Sequence, residues 1–450
     1  MKPNPPLRYA PEKPPAFDLS AFSTKLADAD SNKQEMYDKS RKVQVELLQA
    51  KEAVQRNELQ KELDGAKSLL LELIPAESCR KPRDYNLGYR VQDMVRLQSF
   101  VYFLEHGKLM SPSECQFATD EEYLAGAVMG LCQDLSRYGM GRATERDVSS
   151  VELARNLVQA IQNELLQFDF RNGPLRRKFD GCKYCLKSLE TILYELSITG
   201  AAVDAGPPAK RTKIDSSVLL PGDEIAELRK RMEHRDDLRE TLIKKCRDGQ
   251  KAAKQSIFAM HRGDRSNAEK LLQRCEDCIT KELIPIATEE PPLRTGGSLG
   301  GVMEEYAEGK LFHAWLFGKD GKFDEAGGES AAAAVSASGD LLLPEEFSVE
   351  LLPEEYIGGL CDLTGEVGRY AVQRGTARDV ATVKLALHTN SCVLNSMQMM
   401  EKLPRDTGKK MNALRMSVEK IERMLYEMSL SEATGRKVST SAENGDKEEG

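Results

Sequence analysis

Along most of the chain apolar residues recur three and four positions apart, the period of helices that bury one face. At that period the sequence predicts helices at roughly 18–55, 57–74, 85–107, 119–139, 147–168 and 174–198. A second set follows near 222–264, 266–284, 298–317, 353–373, 378–400 and 406–430. Strand-like alternation is absent, so the predicted class is all-α, built as two tandem helical-bundle domains.

The two sets of helices are copies. RYGMGRATERDV (137–148) returns as RYAVQRGTARDV (369–380), and LETILYELS (189–197) returns as IERMLYEMS (421–429), both 232 residues later. A period of that length marks a duplicated domain rather than a solenoid of short repeats. The organisation that follows is an N-terminal extension at 1–17, expected to be disordered, a first domain at 18–200, a linker at 201–221, a second domain at 222–432 and a disordered tail at 433–450. The linker is rich in Pro, Gly and Ser. A flexible Gly/Ala-rich loop at 319–348 interrupts the second domain.

Composition narrows the class only a little further. Charged residues make up 30% of the chain and aromatics 6%, a balance that suits long amphipathic helices. The net charge of -8 writes no global basic footprint, so any nucleic-acid binding has to be local. The Pro-rich start MKPNPPLRYAPEKPPAF has no apolar signal core, and no run of 18 apolar residues occurs. The expectation is a soluble intracellular protein with no membrane partner. Lys210-Arg211-Thr212-Lys213 in the linker reads either as a nuclear-import signal or as a solvated basic run. Two CxxC pairs, Cys182/Cys185 and Cys275/Cys278, fall inside helical text instead of tight turns, so reduced cysteines are expected there rather than a zinc site.

Chemistry concentrates in the second copy. In EEYIGGLCDLTGEVGRY (354–370) the apolar stripe is Tyr356, Leu360, Leu363, Val367 and Tyr370, with Asp362 and Glu366 off that stripe. The helical neighbours of Asp362 are Gly358, Gly359, Gly365 and Glu366, none of them basic. Interior glycines each cost roughly 0.8–1.0 kcal/mol relative to alanine, so helix stability alone does not explain them. In GGVMEEYAEGKLFHAWLF (300–317), Glu305 and Glu308 lie one turn apart, again with no basic neighbour on their own helix. Unpaired carboxylates on two helices, with glycine beside them, suit Mg²⁺, which takes oxygen ligands and keeps several waters. Against a phosphodiester such an ion activates water and stabilises the leaving oxygen. The plain alternative is two solvated helix faces.

The first copy offers an internal comparison. Depending on the end from which one counts, Gly130 or Met129 stands where Asp362 stands, and neither is a carboxylate. The expected counterparts of Glu305 and Glu308 are Asp93 and Arg96, predicted to pair with each other at i,i+3, as are Asp134 and Arg137. The glycines around Asp362 then read as room left for a cation.

Several motifs together resemble a known family. FDGCKYCLKSLETILYELSITG, NGPLRRKFDG and DLSRYGMGRATERD are similar to translin, while SIFAMHRGD, EEYAEGKLFHAWL and EEYIGGLCDLTGEVGR resemble translin-associated factor X. The chain looks like a tandem fusion of the two. The resemblance implies domains of the translin type closing into an oligomeric shell of eight, here about four fused chains, with separate translin subunits as further partners. It implies binding of single-stranded RNA, and of single-stranded DNA, inside the shell. It also implies a Mg²⁺-dependent endoribonuclease acting on passenger-strand fragments of RNA silencing or on tRNA fragments, in cytoplasm and nucleus. Carried over by motif, the catalytic carboxylates are Glu305, Glu308 and Asp362, and the metal ligands are these three with Glu366.

Basic residues for phosphates are expected at Arg80, Lys81, Arg83 and Arg90, at Arg176, Arg177 and Lys178, and at Lys409 and Lys410. The segment RKPRDYNLGYRVQDMVR departs from translin in lacking histidines. The alternative function is a non-catalytic nucleic-acid-binding scaffold. A di-iron bundle is set aside because no histidine lies three residues after a glutamate.

Overall fold

The computed structural model describes residues 19–54, 59–74, 85–199, 216–321, 336–400, 402–404 and 407–434. Arg80, Lys81, Arg83 and the run Lys210 to Lys213 lie outside the described residues. The helices are α1 (Ser20–Val54), α2 (Leu59–Leu73), α3 (Tyr85–His106), α4 (Asp120–Tyr123), α5 (Met129–Thr144), α6 (Val148–Leu165) and α7 (Pro174–Ile198). After them come α8 (Ser216–Leu219), α9 (Gly222–His261), α10 (Arg265–Cys278), α11 (Ile284–Glu289), α12 (Gly297–Phe317), α13 (Pro353–Thr376), α14 (Val380–Met399) and α15 (Thr407–Thr434). Among the described residues there is no strand, and no described helix is long and apolar enough to cross a membrane.

By internal packing the chain forms two compact units, Ser31–Arg239 and a second made of Met1–Asp30 with Glu240–Gly450. In the first, α5, α6 and α7 pack on one another and α3 lies against the segment that leads into α5. In the second, α13 packs against α12, α14 and α15. Each unit has its own apolar core. Tyr123, Met94, Leu131 and Leu157 are fully buried in the first, and Trp315, Tyr306, Phe312 and Tyr356 in the second. All five residues of the stripe expected on α13 are buried.

The duplication is visible in atomic detail. Arg146 and Arg378, 232 residues apart, both adopt the left-handed conformation (φ 62° and 64°) just beyond a helix end. The next residue caps the following helix in each case. Asp147 accepts from Ser150 N–H at 3.1 Å, and Asp379 accepts from Thr382 N–H at 3.0 Å. Tyr123 donates its hydroxyl to Met110 O and Tyr356 donates to Leu342 O, at 2.7 and 2.9 Å.

One residue separates the copies in length, since Tyr123 to Tyr138 is one longer than Tyr356 to Tyr370. The first unit absorbs it in a π-helical turn at Leu124–Val128, where Met129 N–H bonds the carbonyl five residues back at Leu124. Beyond that turn the register returns to 232. Asp362 therefore corresponds to Gly130 and not to Met129.

Glycines on α13 permit close helix approach. A Cβ on Gly359 would stand 2.8 Å from Glu304 O, 2.9 Å from Glu308 N and 2.7 Å from Ala307 Cβ. Gly126 makes the same approach in the first unit, 2.4 Å from Gln92 O. A Cβ on Gly358 would meet the Glu304 carboxylate at 2.6–2.8 Å, whereas one on Gly365 would meet nothing within 4 Å. The reading of these glycines as room for a cation is thus corrected for Gly358 and Gly359. Gly359 brings the α12 backbone onto α13, and Gly358 leaves room for Glu304.

Opposite effects follow for two alanine substitutions. Gly359→Ala gains ~1 kcal/mol of helix propensity but forces backbone apart at a cost of about 1–3 kcal/mol, so thermal melting of the second unit is expected to fall. Gly365→Ala keeps the propensity gain alone and is expected to raise it.

The last helix of each copy also carries exposed apolar residues in register. Tyr184, Tyr194 and Ile198 on α7 match Met416, Tyr426 and Leu430 on α15, 232 residues on, and all six are exposed.

Candidate catalytic carboxylate site

The site is built where α12 crosses α13 at the glycine contact. That contact brings Glu304, Glu305 and Glu308 of α12 to the face of α13 carrying Asp362 and Glu366. Glu308 is the buried member, with 8% of its surface exposed. Burial, reinforced by the fields of Asp362, Glu305 and Glu366, pushes its carboxyl up to about 8. Glu304 is also raised, first by burial and then by a hydrogen bond with Asp362, against the opposing pull of Lys410.

Cations reach this cluster from other helices, which the spacing within one helix does not reveal. Lys254 of α9 places Nζ 2.9 Å from Glu305 Oε1. Lys410 of α15 bonds Glu304 Oε1 and lies 2.8 Å from Asp362 Oδ2 and 3.3 Å from Gly358 O. His261 at the end of α9 bonds Glu366 Oε2 through Nε2 and packs its ring 4.8 Å from that of Phe312. Arg369 lies 3.7 Å from Glu366 on the same helix. The expectation that these carboxylates lack counter-charges is therefore corrected for Glu305, Asp362 and Glu366. It describes Glu308, with which no described residue forms an ion pair.

The first unit holds the same geometry with different charges. The contact of α3 with the π-helical turn before α5 aligns Gln92, Asp93 and Arg96 with Glu304, Glu305 and Glu308, because Gly126 and Gly359 touch the carbonyls of Gln92 and Glu304 respectively. Arg96 donates two bonds of 2.6 Å to Asp134, the counterpart of Glu366. Its methylene stem fills the place of the Asp362 side chain, since a Cβ on Gly130 would meet Arg96 Cδ at 2.9 Å. Burial disfavours the charge on Arg96, but the bond to Asp134 and the nearby charges of Asp134 and Asp93 together outweigh it, and the guanidinium is held more firmly protonated. The expected pairs Asp93–Arg96 and Asp134–Arg137 are corrected accordingly. Asp93 pairs with Arg90 at 3.3 Å, and Arg96 reaches across to the other helix.

Six equivalent positions thus carry opposite designs. In the first unit two carboxylates (Asp93, Asp134) balance Arg96 and Lys178, a formal charge of zero. In the second, five carboxylates (Glu304, Glu305, Glu308, Asp362, Glu366) face Lys410, a formal charge of -4.

A profile of the translin family matches residues 23–200 and again 237–432, once per copy. The chain belongs to the translin family. It is 30% identical to Translin of Gallus gallus over 128 residues, 26% of this chain and 56% of that protein. It is 29% identical to Translin of Bos taurus over 123 residues, 24% and 54% of the respective lengths. The chain spans about half the length of the curated relatives it matches. Among solved structures it is similar to the AfC3PO–duplex RNA complex, at 19% identity and a TM-score of 0.38 over 46% of this chain and 98% of that one. AfC3PO alone gives 20% and 0.38 over the same shares.

Whether this translin-family site suits a divalent cation rests on its donors. Among the described residues no group of three or more His, Cys, Asp or Glu side chains is arranged to hold a metal ion. The two lysine ammonium groups stand against the carboxylates instead. The donor set itself fits a hard cation, being all oxygen, with Glu308 buried among Glu305, Asp362 and Glu366 and in no ion pair with a described residue. The CxxC cysteines lie on α7 and α10, and all four are free thiols.

The expected phosphate-binding residues divide. Arg176, Arg177 and Lys409 are exposed, Arg176 with Asp180 at 3.5 Å. Arg90 is tied to Asp93. Lys178 turns inward to Gln92 Oε1 at 2.8 Å, and Lys410 turns into the carboxylates. Sequence reasoning missed Lys254, His261 and Glu304. His261 stood in the quoted SIFAMHRGD motif, and Glu304 precedes Glu305 in EEYAE, so both were within reach of the motifs; no helical spacing points to Lys254.

Proposed function

We propose that the chain is a Mg²⁺-dependent endoribonuclease that binds and cleaves single-stranded RNA within a translin-type shell. The observation that carries this reading is the contrast between the two copies. One scaffold is neutralised by Arg96 and Gly130, and the other keeps five carboxylates, four of them around the buried Glu308. Glu305, Glu308, Asp362 and Glu366 would hold the ion, which when bound supplies an activated water and charge compensation at the scissile phosphate. His261 fixes the orientation of Glu366 through Nε2. Glu308 keeps a proton on its carboxyl in the cation-free site and gives it up when a cation arrives, as metal binding to titrating ligands requires. Lys254, on the exposed rim, is placed to meet a phosphate oxygen, and exposed Arg176, Arg177 and Lys409 add local cations on an otherwise acidic chain.

The matching apolar faces of α7 and α15 support assembly, with about four fused chains giving eight domains and separate translin subunits able to join. Cytoplasm and nucleus are the expected compartments, and single-stranded DNA is a second expected ligand. One observation favours a non-catalytic binding scaffold, namely that Lys254 and Lys410 already pair with Glu305 and Asp362. A cleavage assay on the purified full chain separates the two. With single-stranded RNA, Mg²⁺ should give endonucleolytic products that EDTA abolishes, and binding without Mg²⁺-dependent products would favour the scaffold.

A further inference from the structure

Lys410 occupies a position at which both copies carry a lysine. Lys178, 232 residues earlier, places Nζ 2.8 Å from Gln92 Oε1 and 3.3 Å from Ala125 O. Lys410 repeats both contacts, with Glu304 Oε1 in place of the Gln92 amide and Gly358 O at the same 3.3 Å. The shared contacts tie the last helix of each copy to the two segments that cross. They establish that the amine is anchored by the fold, whatever the charge around it.

The second unit adds carboxylates on two sides of that anchored amine. Nζ of Lys410 bonds Glu304 Oε1 on one side and Asp362 Oδ2 on the other, whereas Lys178 meets only the neutral Gln92 amide and the Ala125 carbonyl. Asp362 Oδ2 is thereby committed to an ammonium at 2.8 Å. Paired-metal nucleases hold two ions about 3.5–4 Å apart as a clamp on the attacking and leaving oxygens. Here a second divalent ion next to Asp362 would face a fixed positive charge that cannot leave without giving up Glu304, Asp362 and the Gly358 carbonyl together.

On the metal-site reading above, we propose that Lys410 is a built-in monovalent cation that takes the place of a second metal ion, so that the carboxylate cluster of each chain binds one divalent ion and not a pair. Lys410 is a positioning residue in this account. It holds Glu304 and Asp362 Oδ2 in place and leaves Glu305, Glu308, Glu366 and the other oxygen of Asp362 for the single ion.

The test is a Mn²⁺ titration of the metal-stripped full-length protein, followed by electron paramagnetic resonance of free Mn²⁺. The wild type should bind one ion per chain. Lys410→Met should bind two, while Lys410→Arg, which keeps the charge, should stay at one. Lys178→Met removes the equivalent amine from neutral partners, and should also stay at one, which separates charge from helix anchoring. Two ions in the wild type, or one in a folded Lys410→Met protein, overturns the inference and leaves the metal-site reading standing. No bound ion in the wild type overturns both.

Discussion

Asp362→Asn is expected to lower Mg²⁺-dependent cleavage of single-stranded RNA by roughly a thousandfold or more, equivalent to about 4 kcal/mol of transition-state stabilisation. Asparagine has the shape of aspartate and can still accept from Lys410 Nζ through its carbonyl oxygen. The packing of α13 on α12 and α15 should therefore survive. What disappears is one negative charge between Glu304, Lys410 and Glu308, and with it an ionised ligand for the cation. The first unit shows that the fold tolerates the loss, because Gly130 stands at this position in an otherwise equivalent crossing. RNA binding and the mass of the assembly should accordingly match those of the wild type. Unchanged cleavage would remove Asp362 from the assignment, and lost assembly would make its role structural.

The second large effect concerns pH and the buried glutamate. Glu308 has a folded-state carboxyl raised from its ordinary 4.5 to about 8, burial being the main cause. Between those values the folded protein holds a proton that the unfolded chain has released, so stability falls as pH rises through the interval and levels off above it. The loss expected from this group alone is on the order of 4 kcal/mol. Chemical denaturation of the metal-free protein at pH 5 and pH 8 should show it, and Glu308→Gln should remove most of the difference. Mg²⁺ should stabilise the wild type at pH 8 far more than at pH 5, because ligand that binds only the folded state adds stability by mass action and the protonated carboxyl competes with the cation at low pH. A Glu308→Gln protein with the full pH dependence would place the titrating group elsewhere.

Helix order and the duplication were legible in the sequence because both are local signals. The α13 stripe of Tyr356, Leu360, Leu363, Val367 and Tyr370 needs only the 3.6-residue period, and the return of Arg-Asp-Val at 146–148 and 378–380 marks a left-handed residue followed by a helix cap in each copy. The register at Asp362 was ambiguous for a physical reason. A one-residue difference was absorbed by a π turn, and no spacing rule reports where an extra residue is taken up.

Charge pairing was the least legible feature. Helical neighbours of Asp362 and Glu305 contain no base, yet Lys410 and Lys254 arrive from helices far away in the chain. Arg96 likewise passes over Asp93 on its own helix to reach Asp134. The glycines misled for the same reason. Gly358 and Gly359 answer to Glu304 and to the backbone of α12, neither visible from within α13.

On the proposed function, one copy of the duplicated scaffold carries the chemistry and the other has been neutralised. The most direct test compares Glu305→Gln with Asp93→Asn in the full-length protein, two equivalent carboxylates each beside a basic residue, Lys254 in one case and Arg90 in the other. The measurement is the single-turnover rate of single-stranded RNA cleavage in Mg²⁺. Glu305→Gln is expected to lose nearly all of the rate and Asp93→Asn to keep it. Equal losses in the two, or full activity in Glu305→Gln, would contradict that reading.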